Sequence, residues 1–566
     1  MPDPIALIPT RLSTTPFGLA SRVAHTLAGR SVLAHTVARV ARVGLIKKIV
    51  LVHEAGDDPV SLLGGRAFGV PVFGFVVTGG LTYPHQHKHA AARKWSLEAW
   101  RGGLGGATCY DELWPAAPLF EAMKHHGSES ALLVGADWPL VDPEYCRRVL
   151  ELHLTYPQNM QMTFTQAPPG LAGVAIGRNL IDQIAQNDVS LGQLIGYNPL
   201  KPQADPIGRD LCVQIPASVR SCACRLVYDT PATAAMIDRL FEQMGDGLSS
   251  ADAQVVTAGV SALGERTDEG FATLPQMVTL ELTPRRSVNG PIVPQHHIRL
   301  DRPDMAIDAA LKIVGQLGAD QDTVLTLGGL GDALLHPRWE KVVAAAQRAG
   351  VLGMAVETDL LVDQEVLERL LDLPIDIITV RLNADTAATY KKVMDPADTL
   401  GDGFAKTIAN LEWLINHRRG QTPPSATDAN GLQNAGLPWL VMRLAKTIDT
   451  LGDMETFFDR WVHYAGHAVI EPATTGCGLI ADASPVRMDP PGRFACRQVT
   501  RRMTIHCDGQ VAQCDQDWLG RACGGDAVVT PLADIWRLMQ PLRQAHAGGR
   551  WDELPLCRDC HEWHRP

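Results

Sequence analysis

With 566 residues, 46% of them hydrophobic and 20% charged, the chain is a folded globular protein with more than one core, which excludes overall disorder and a single small domain. A formal net charge of −11 excludes a nucleic-acid binder that works through a bulk positive field, although a local basic patch can still hold a phosphate. No run of about 18 apolar residues occurs, and the start MPDPIALIPTRL lacks the basic-then-apolar layout of a signal peptide, so a cytoplasmic protein with small-molecule or protein partners, and neither nucleic acid nor membrane, is expected.

The pattern is α/β. From residue 4 to about 245 short apolar strands such as IALIPTR, KKIVLVHE and SALLVGA alternate with amphipathic helices such as SVLAHTVARVARV and DPEYCRRVLELHL, the rhythm of a layered domain over residues 1–245. Residues 246–275, rich in Gly, Ala, Asp and Thr, hold no sustained period and read as a linker. Between 276 and 475 βα units resume (VTLEL, MAIDAALKIVGQL, TVLTLGG, WEKVVAAAQRAG, GMAVET, QEVLERLLDL, IDIITVRLN), and repeats of this size build a parallel barrel or a doubly wound sheet. Residues 420–436, GQTPPSATDANGLQNAG, read as a flexible loop inside this segment. From 476 to 566 the regular pattern gives way to short elements punctuated by Cys, Gly and Asp, as in a small ligand-stabilised module.

Two stretches of the first segment carry candidate chemistry. IPTRLSTT ends the first strand, where Arg11, Ser13, Thr14 and Thr15 supply a cation, hydroxyls and backbone donors; open α/β sheets bind ligands beyond the carboxyl ends of their strands, and the same residue types also make ordinary turns. Asp137 directly follows the strand ALLVGA and precedes a proline turn, a placement suited to holding Mg²⁺ on a triphosphate. Asp142, before Pro143, fits a helix cap. The glycine-rich RGGLGGATCYDELWP, 101–115, either shapes an acceptor pocket or is simply a loop.

Together these stretches resemble the cytidylyltransferase-like nucleotidyltransferases, which activate sugar acids and sugar alcohols with CTP. The opening motif I-P-A-R-x-x-S-T-R-x-P-G-K is met by IPTRLSTTPFGLA with Arg11, Ser13 and Thr14, and D-x-P-L-I-D-P by DWPLVDP. The late family acid falls on Asp229 of YDTPATAAMID. Over about 240 residues the resemblance implies Arg11, Ser13 and Thr14 on a nucleoside triphosphate, Arg11 and Asp137 in catalysis, and Mg²⁺ on Asp137 and Asp229, with a sugar acid or similar polar acceptor. The motif's second basic residue is Thr15 here and its lysine is missing, unless Arg22 or Arg30 substitutes. Those cations offset phosphate charge as the α-phosphorus is attacked, so binding is easier to keep than catalysis.

Of the twelve cysteines, seven fall in the last 90 residues: Cys477, Cys496, Cys507, Cys514, Cys523, Cys557 and Cys560. Such enrichment in a large intracellular protein points to metal ligation before disulfides. Cys557 and Cys560 form a C-x-x-C whose thiolates can share one metal centre, with Cys496 and Cys514 available upstream. Cys109, Cys146, Cys212, Cys222 and Cys224 are scattered and read as buried or idle thiols.

The C-terminal spacing and flanks, MTIHCDGQVAQCDQD, PLADIW, LRQAHAGG and LPLCRDC, resemble the SPASM domain, an auxiliary iron–sulfur module of radical SAM enzymes. That resemblance implies a [4Fe–4S] cluster on Cys496, Cys514, Cys557 and Cys560, with zinc the alternative because four cysteines suit either. Cys477 and Cys523 are candidate extra ligands and Cys507 is left out; on the scaffold reading this module docks a protein partner. The middle segment then resembles a radical SAM barrel, a partial (β/α) barrel. TVLTLGGLGDALLHPRWEKVV carries Gly328, Gly329 and Gly331 with Asp332 in place of a glutamate, and AVETDLL and ITVRLNADT match later strand ends. The family's C-x-x-x-C-x-x-C falls on Arg286, Gly290 and Val293 of ELTPRRSVNGPIVP, and none of these ligates iron. S-adenosylmethionine is therefore not expected to bind, and Arg285 and Arg286 read as solvated loop arginines or an anion site. The expected protein is a nucleotidyltransferase fused to a barrel that has lost its radical cluster and to a module that keeps one; the alternatives are a catalytically degenerate iron–sulfur scaffold and a radical enzyme with atypical ligands.

Overall fold

In the computed structural model of the chain, the described residues are 3–82, 85–102, 104–113, 115–187, 190–198, 201–265, 274–318, 322–419 and 436–565. The chain divides into two compact units, Met1–Phe271 and Ala272–Pro566. The 420–435 part of the segment read as a flexible loop lies outside the described residues.

In the first unit the run IALIP becomes strand β1 (Ile5–Pro9), with Ile5 to Ile8 no more than 1% exposed. A strand covered on both faces is apolar throughout instead of alternating, which is why the run is unbroken. It pairs in parallel with β2 (Lys48–Glu54) on one side and β4 (Ser130–Leu133) on the other. With β3 (Val72–Val77), β5 (Met162–Thr165), β6 (Val174–Gly177) and β7 (Cys212–Val213), the sheet runs β3-β2-β1-β4-β6-β5-β7, and β6 alone is antiparallel to its neighbours. Because Leu7 stands opposite Leu133, the loops that leave β1 and β4 emerge side by side at one edge. That register carries Arg11 and Asp137 to the same place.

Helices cover the sheet. Asp142 caps α1 (Pro143–Thr155), accepting from the Tyr145 N–H at 2.9 Å, with Pro143 in the first turn where its missing N–H costs nothing. Thr230 caps α2 (Pro231–Met244) in a capping box with Thr233. The stretch read as a linker instead contains helix α3 (Ala253–Glu265), whose Ala253, Val256 and Leu263 pack with Leu240 and Phe241 of α2. The Asp142 carboxylate also accepts from the Ala253 N–H at 2.6 Å. Small residues thin out the apolar stripe of α3 below what a periodicity count detects, and tertiary burial supplies the stability.

The second unit carries six parallel strands side by side in chain order: β8 (Met277–Leu280), β9 (Val324–Leu327), β10 (Gly353–Thr358), β11 (Ile377–Val380), β12 (Trp439–Lys446) and β13 (Ala468–Pro472). Helices α4 (Ile307–Val314), α5 (Trp339–Ala349), α6 (Gln364–Asp372), α7 (Ala387–Met394), α8 (Gly403–His417) and α9 (Met454–Tyr464) lie between them in sequence. This is the βα succession of a partial barrel. Leu280, Leu327, Val356, Val380 and Met442 share one buried core. The cysteine-rich end is not set apart from this sheet: β14 (Arg502–Ile505) pairs in parallel with β8, Leu280 facing Ile505, and β15 (Gln510–Ala512) and β16 (Gly525–Asp526) continue the sheet antiparallel. Strands more than 200 residues apart in sequence leave no local signal that they pair.

Candidate functional site

The loops leaving β1 and β4 meet in a pocket lined by Arg11, Thr14, Thr15, Glu112, Asp137, Arg225 and Asp229. Of the residues singled out in the sequence, Ser13 is not in the lining; it sits exposed, and its carbonyl accepts the Ser21 N–H at 3.0 Å. Arg11 donates from Nη2 to Gln86 Oε1 at 2.9 Å and to the Leu81 carbonyl. The enclosed room is about 40 Å³, enough for an ion and little water, whereas sites for drug-sized ligands span about 300–1,000 Å³. Neither Arg22 nor Arg30 lines the pocket. The additional cation is Arg225, whose side chain is 2% exposed and bridges Glu112 (2.7 Å) and Asp229. Glu112 also pairs with Arg93 at 2.8 Å, and the two guanidinium groups outweigh burial to hold its carboxyl below the usual range.

Glu112 and Arg225 were not singled out in the sequence. An arginine inside the apolar run CRLVY, four residues before Asp229, is the signal that could have found Arg225, because a guanidinium is buried only with partners. Glu112 had only its place in the loop 101–115.

Burial, and then the neighbouring Asp229 charge, push the Asp137 carboxyl up to about 7 from an ordinary 3.8. Between about pH 4 and pH 7 the folded state keeps a proton that the unfolded state has released, so this group makes the fold less stable as pH rises through that window. Asp137→Asn is expected to raise the first unit's melting temperature at pH 8 and leave it nearly unchanged at pH 4. In a domain of this size each kcal/mol corresponds to about 2–4 °C, which thermal unfolding without divalent cation would register.

At the carboxyl ends of β8 to β11, Arg286, at the first expected cluster position, is taken up by an ion pair, while Gly290 and Val293 are buried. Arg286 is not a solvated loop arginine; it is paired within the protein. Its side chain is 6% exposed and its fork closes on Asp359, which is 0% exposed, with Nε 2.9 Å from Oδ2. Arg381 faces the same carboxylate at 3.4 Å and donates to the Gly329 and Gly331 carbonyls at 2.9 and 2.8 Å. Burial alone would raise the Asp359 carboxyl; Arg286 and Arg381 overcome it and hold the group below its ordinary range. Asp332 is 1% exposed and accepts from the Asp359 N–H and the Thr358 hydroxyl. A side chain at Gly331 would put its Cβ 1.7 Å from the Thr283 carbonyl oxygen, so the glycine there serves close backbone packing. Arg285 is half-exposed and pairs with Asp304 at 2.6 Å.

At the C-terminal end, Cys557 and Cys496 are buried and Cys514 and Cys560 partly so. Burial and then the other three sulfurs push the Cys557 thiol up to about 12, and burial first, with Cys514 and Cys496 contributing, pushes Cys560 up to about 11. The four sulfurs therefore lie within each other's field. Cys477 joins them through a hydrogen bond to Cys514, which raises the Cys514 thiol further. Cys523 is exposed, with its sulfur against the Gly525 carbonyl at 3.1 Å. Cys507 is buried and its N–H donates to Glu281 at 3.3 Å. Residues 496–561 match SPASM, an iron–sulfur cluster-binding domain. The chain is also 25% identical, over 257 residues or 43% of its length, to an uncharacterized protein of Treponema pallidum (strain Nichols), and it spans 64% of that relative's length. Among solved structures it is similar to Streptococcus suis SuiB bound to precursor peptide SuiA (9% identity, 58% of this chain and 84% of that one, TM-score 0.40). It is similar too to a cytidylyltransferase from Leptospira borgpetersenii serovar Hardjo-bovis (13% identity, 47% of this chain and 95% of that one, TM-score 0.32).

The SPASM cysteines fit an iron–sulfur group in their donor chemistry. Every one of the four sulfurs meets an N–H: Cys496 those of Gln498 and Val499, Cys514 that of Gln516, Cys560 that of Glu562 at 3.3 Å. The Cys557 sulfur accepts from Gln513 Nε2 at 3.0 Å and lies 3.3 Å from His546 Nε2. Such donors stabilise thiolate and tune a cluster's potential. Among the described residues no three His, Cys, Asp or Glu side chains close on one point where a single ion would sit. The SPASM span also sits beside a cavity of about 480 Å³ lined by Cys477, Cys560, Arg487, His561 and Glu562 among others.

Proposed function

We propose that the chain is an iron–sulfur protein with a nucleotidyltransferase-type first unit, whose second unit holds one [4Fe–4S] cluster on Cys496, Cys514, Cys557 and Cys560 and starts no radical chemistry. The observation that carries the cluster is the set of N–H donors aimed at four clustered sulfurs inside the SPASM span. The barrel reads as one of radical SAM type in which Arg286, at the first cluster-cysteine position, is spent on Asp359 and leaves no thiolate to hold a second cluster or to bring S-adenosylmethionine to one.

For the first unit the reading is Mg²⁺-dependent transfer of a nucleotidyl group from a triphosphate such as CTP to a sugar acid or related polar acceptor. It is supported by the convergence of Arg11, Thr14, Asp137 and Asp229 on one pocket at the carboxyl ends of parallel strands. Arg11 and the Thr14 hydroxyl would bind phosphate oxygens. Asp137 and Asp229 would hold Mg²⁺, which supplies charge neutralisation on the phosphates when bound. Arg225 pairs with Glu112 as well as Asp229, so it would keep one partner if Asp229 turned to the ion. Asp137→Ala is expected to abolish CTP-dependent pyrophosphate release, at least a hundredfold for the loss of a metal-holding carboxylate; turnover at the wild-type rate would remove the assignment.

A second reading, a nucleotide-binding iron–sulfur scaffold without turnover, is favoured by one observation: Arg225 already neutralises Asp229 in a pocket of about 40 Å³. Titration of the wild type with CTP and Mg²⁺ separates the two, since binding with no pyrophosphate formed supports the scaffold.

A further inference from the structure

Cys222 and Cys224, read in the sequence as idle thiols, are a matched pair. Their sulfurs lie 3.4 Å apart. The Cys224 N–H donates to the Cys222 carbonyl at 3.1 Å and closes a three-residue turn. Two Cα–Cα steps of about 3.8 Å folded back by such a turn bring the end Cα atoms into the range of about 4.4–6.8 Å that a disulfide spans. The two thiols are also unequal. Cys222 is half-buried between the exposed Ser221 and Ala223, whereas Cys224 is 5% exposed. Contact with Cys224 lowers the Cys222 thiol below its ordinary value, and the same contact, with burial, raises Cys224. An accessible outer thiol beside a buried inner one that can attack it is the arrangement thiol–disulfide exchange requires.

We propose that Cys222 and Cys224 form a reversible intramolecular disulfide, made by exchange with a small disulfide of the glutathione class. The Cys222 thiolate attacks one sulfur of the oxidant, forming a mixed disulfide and releasing the first thiolate, which takes a proton. Cys224 then loses its proton and attacks the Cys222 sulfur, releasing the second thiolate, which takes that proton. Two protein S–H bonds and one oxidant S–S bond are replaced by one protein S–S bond and two S–H bonds, and two electrons pass to the oxidant. Closing the bond draws the sulfurs from 3.4 Å to about 2.05 Å. The turn that tightens leads directly into Arg225, so the couple sits one residue from the wall of the Asp137 pocket. The disulfide itself does not depend on what that pocket binds.

The test uses the full chain with its cluster assembled anaerobically, treated with oxidised glutathione, alkylated, digested and read by mass spectrometry. The expected result is loss of alkylation at both Cys222 and Cys224, a peptide across 222–224 lighter by two hydrogens, and recovery with dithiothreitol. Cys224→Ser should stop at one glutathione on Cys222, and Cys222→Ser should show neither product. The proposal is overturned if both thiols of the wild type stay alkylatable, if the wild type stops at the glutathione adduct, or if the only disulfide found lies elsewhere, such as between Cys477 and Cys514.

Discussion

Cys557→Ser is expected to strip the protein of iron. Wild-type chain purified without oxygen should carry about four irons with matching sulfide, and the variant well under one. Cys557 is buried, accepts from Gln513 Nε2 at 3.0 Å, and has its thiol pushed up to about 12 by burial and the three neighbouring sulfurs. Without a cationic centre among them these thiols stay protonated at neutral pH; assembly of the cluster releases their protons, so the centre and its thiolates stabilise one another. Serine at 557 removes a soft ligand and leaves Gln513 and His546 facing an alkoxyl group that does not replace it. Metal and sulfide analysis of both proteins decides the matter. Zinc in the wild type would make the end of the chain a structural knuckle, and about eight irons would mean that the chain binds a second cluster.

Asp359→Ala should unfold or severely destabilise the second unit, by about 3–5 kcal/mol, the usual effect of removing one partner from a buried ion pair. Asp359 is 0% exposed and answers two guanidinium groups, Arg286 and Arg381. Its loss leaves both cations buried, and burial already pushes the Arg381 guanidinium down, with Arg286 adding to it. Arg286→Ala should cost less, because Arg381 continues to face Asp359 and also keeps the Gly329 and Gly331 carbonyls. Denaturant unfolding of the two variants beside the wild type gives the order, and a larger loss for Arg286→Ala than for Asp359→Ala would contradict this account of the network. The reciprocal expectation concerns function: if Arg286 occupies the place of a cluster ligand only to hold the loop, neither variant should change the iron content of protein that remains folded.

How much could be read without coordinates depended on distance along the chain. The α/β rhythm, the Asp142 cap and the C-x-x-C of Cys557 and Cys560 were legible because strand burial, helix capping and metal-ligand spacing are written within a few residues. Helix α3 was not, because Ala253–Glu265 carries too many small residues to show a stripe and is held by packing on α2. The ion pairs of the barrel were not legible either. Arg286 and Asp359 are 73 residues apart, and an arginine in a loop looks the same whether it meets water or a carboxylate.

By itself, the sequence determined the alternation of strands and helices, the absence of a cysteine triad from ELTPRRSVNGPIVP, and a cysteine spacing of the SPASM type at the end, since each follows from residue types at short spacing. Only the tertiary structure decided that Arg11 and Asp137 line one pocket, that Arg225 ties Glu112 to Asp229, that β14 joins β8 in one sheet, and that Arg286 is buried against Asp359. Those are choices of partner across tens to hundreds of residues. They depend on strand register and on the requirement that a buried charge be paired, and neither is encoded in any local stretch.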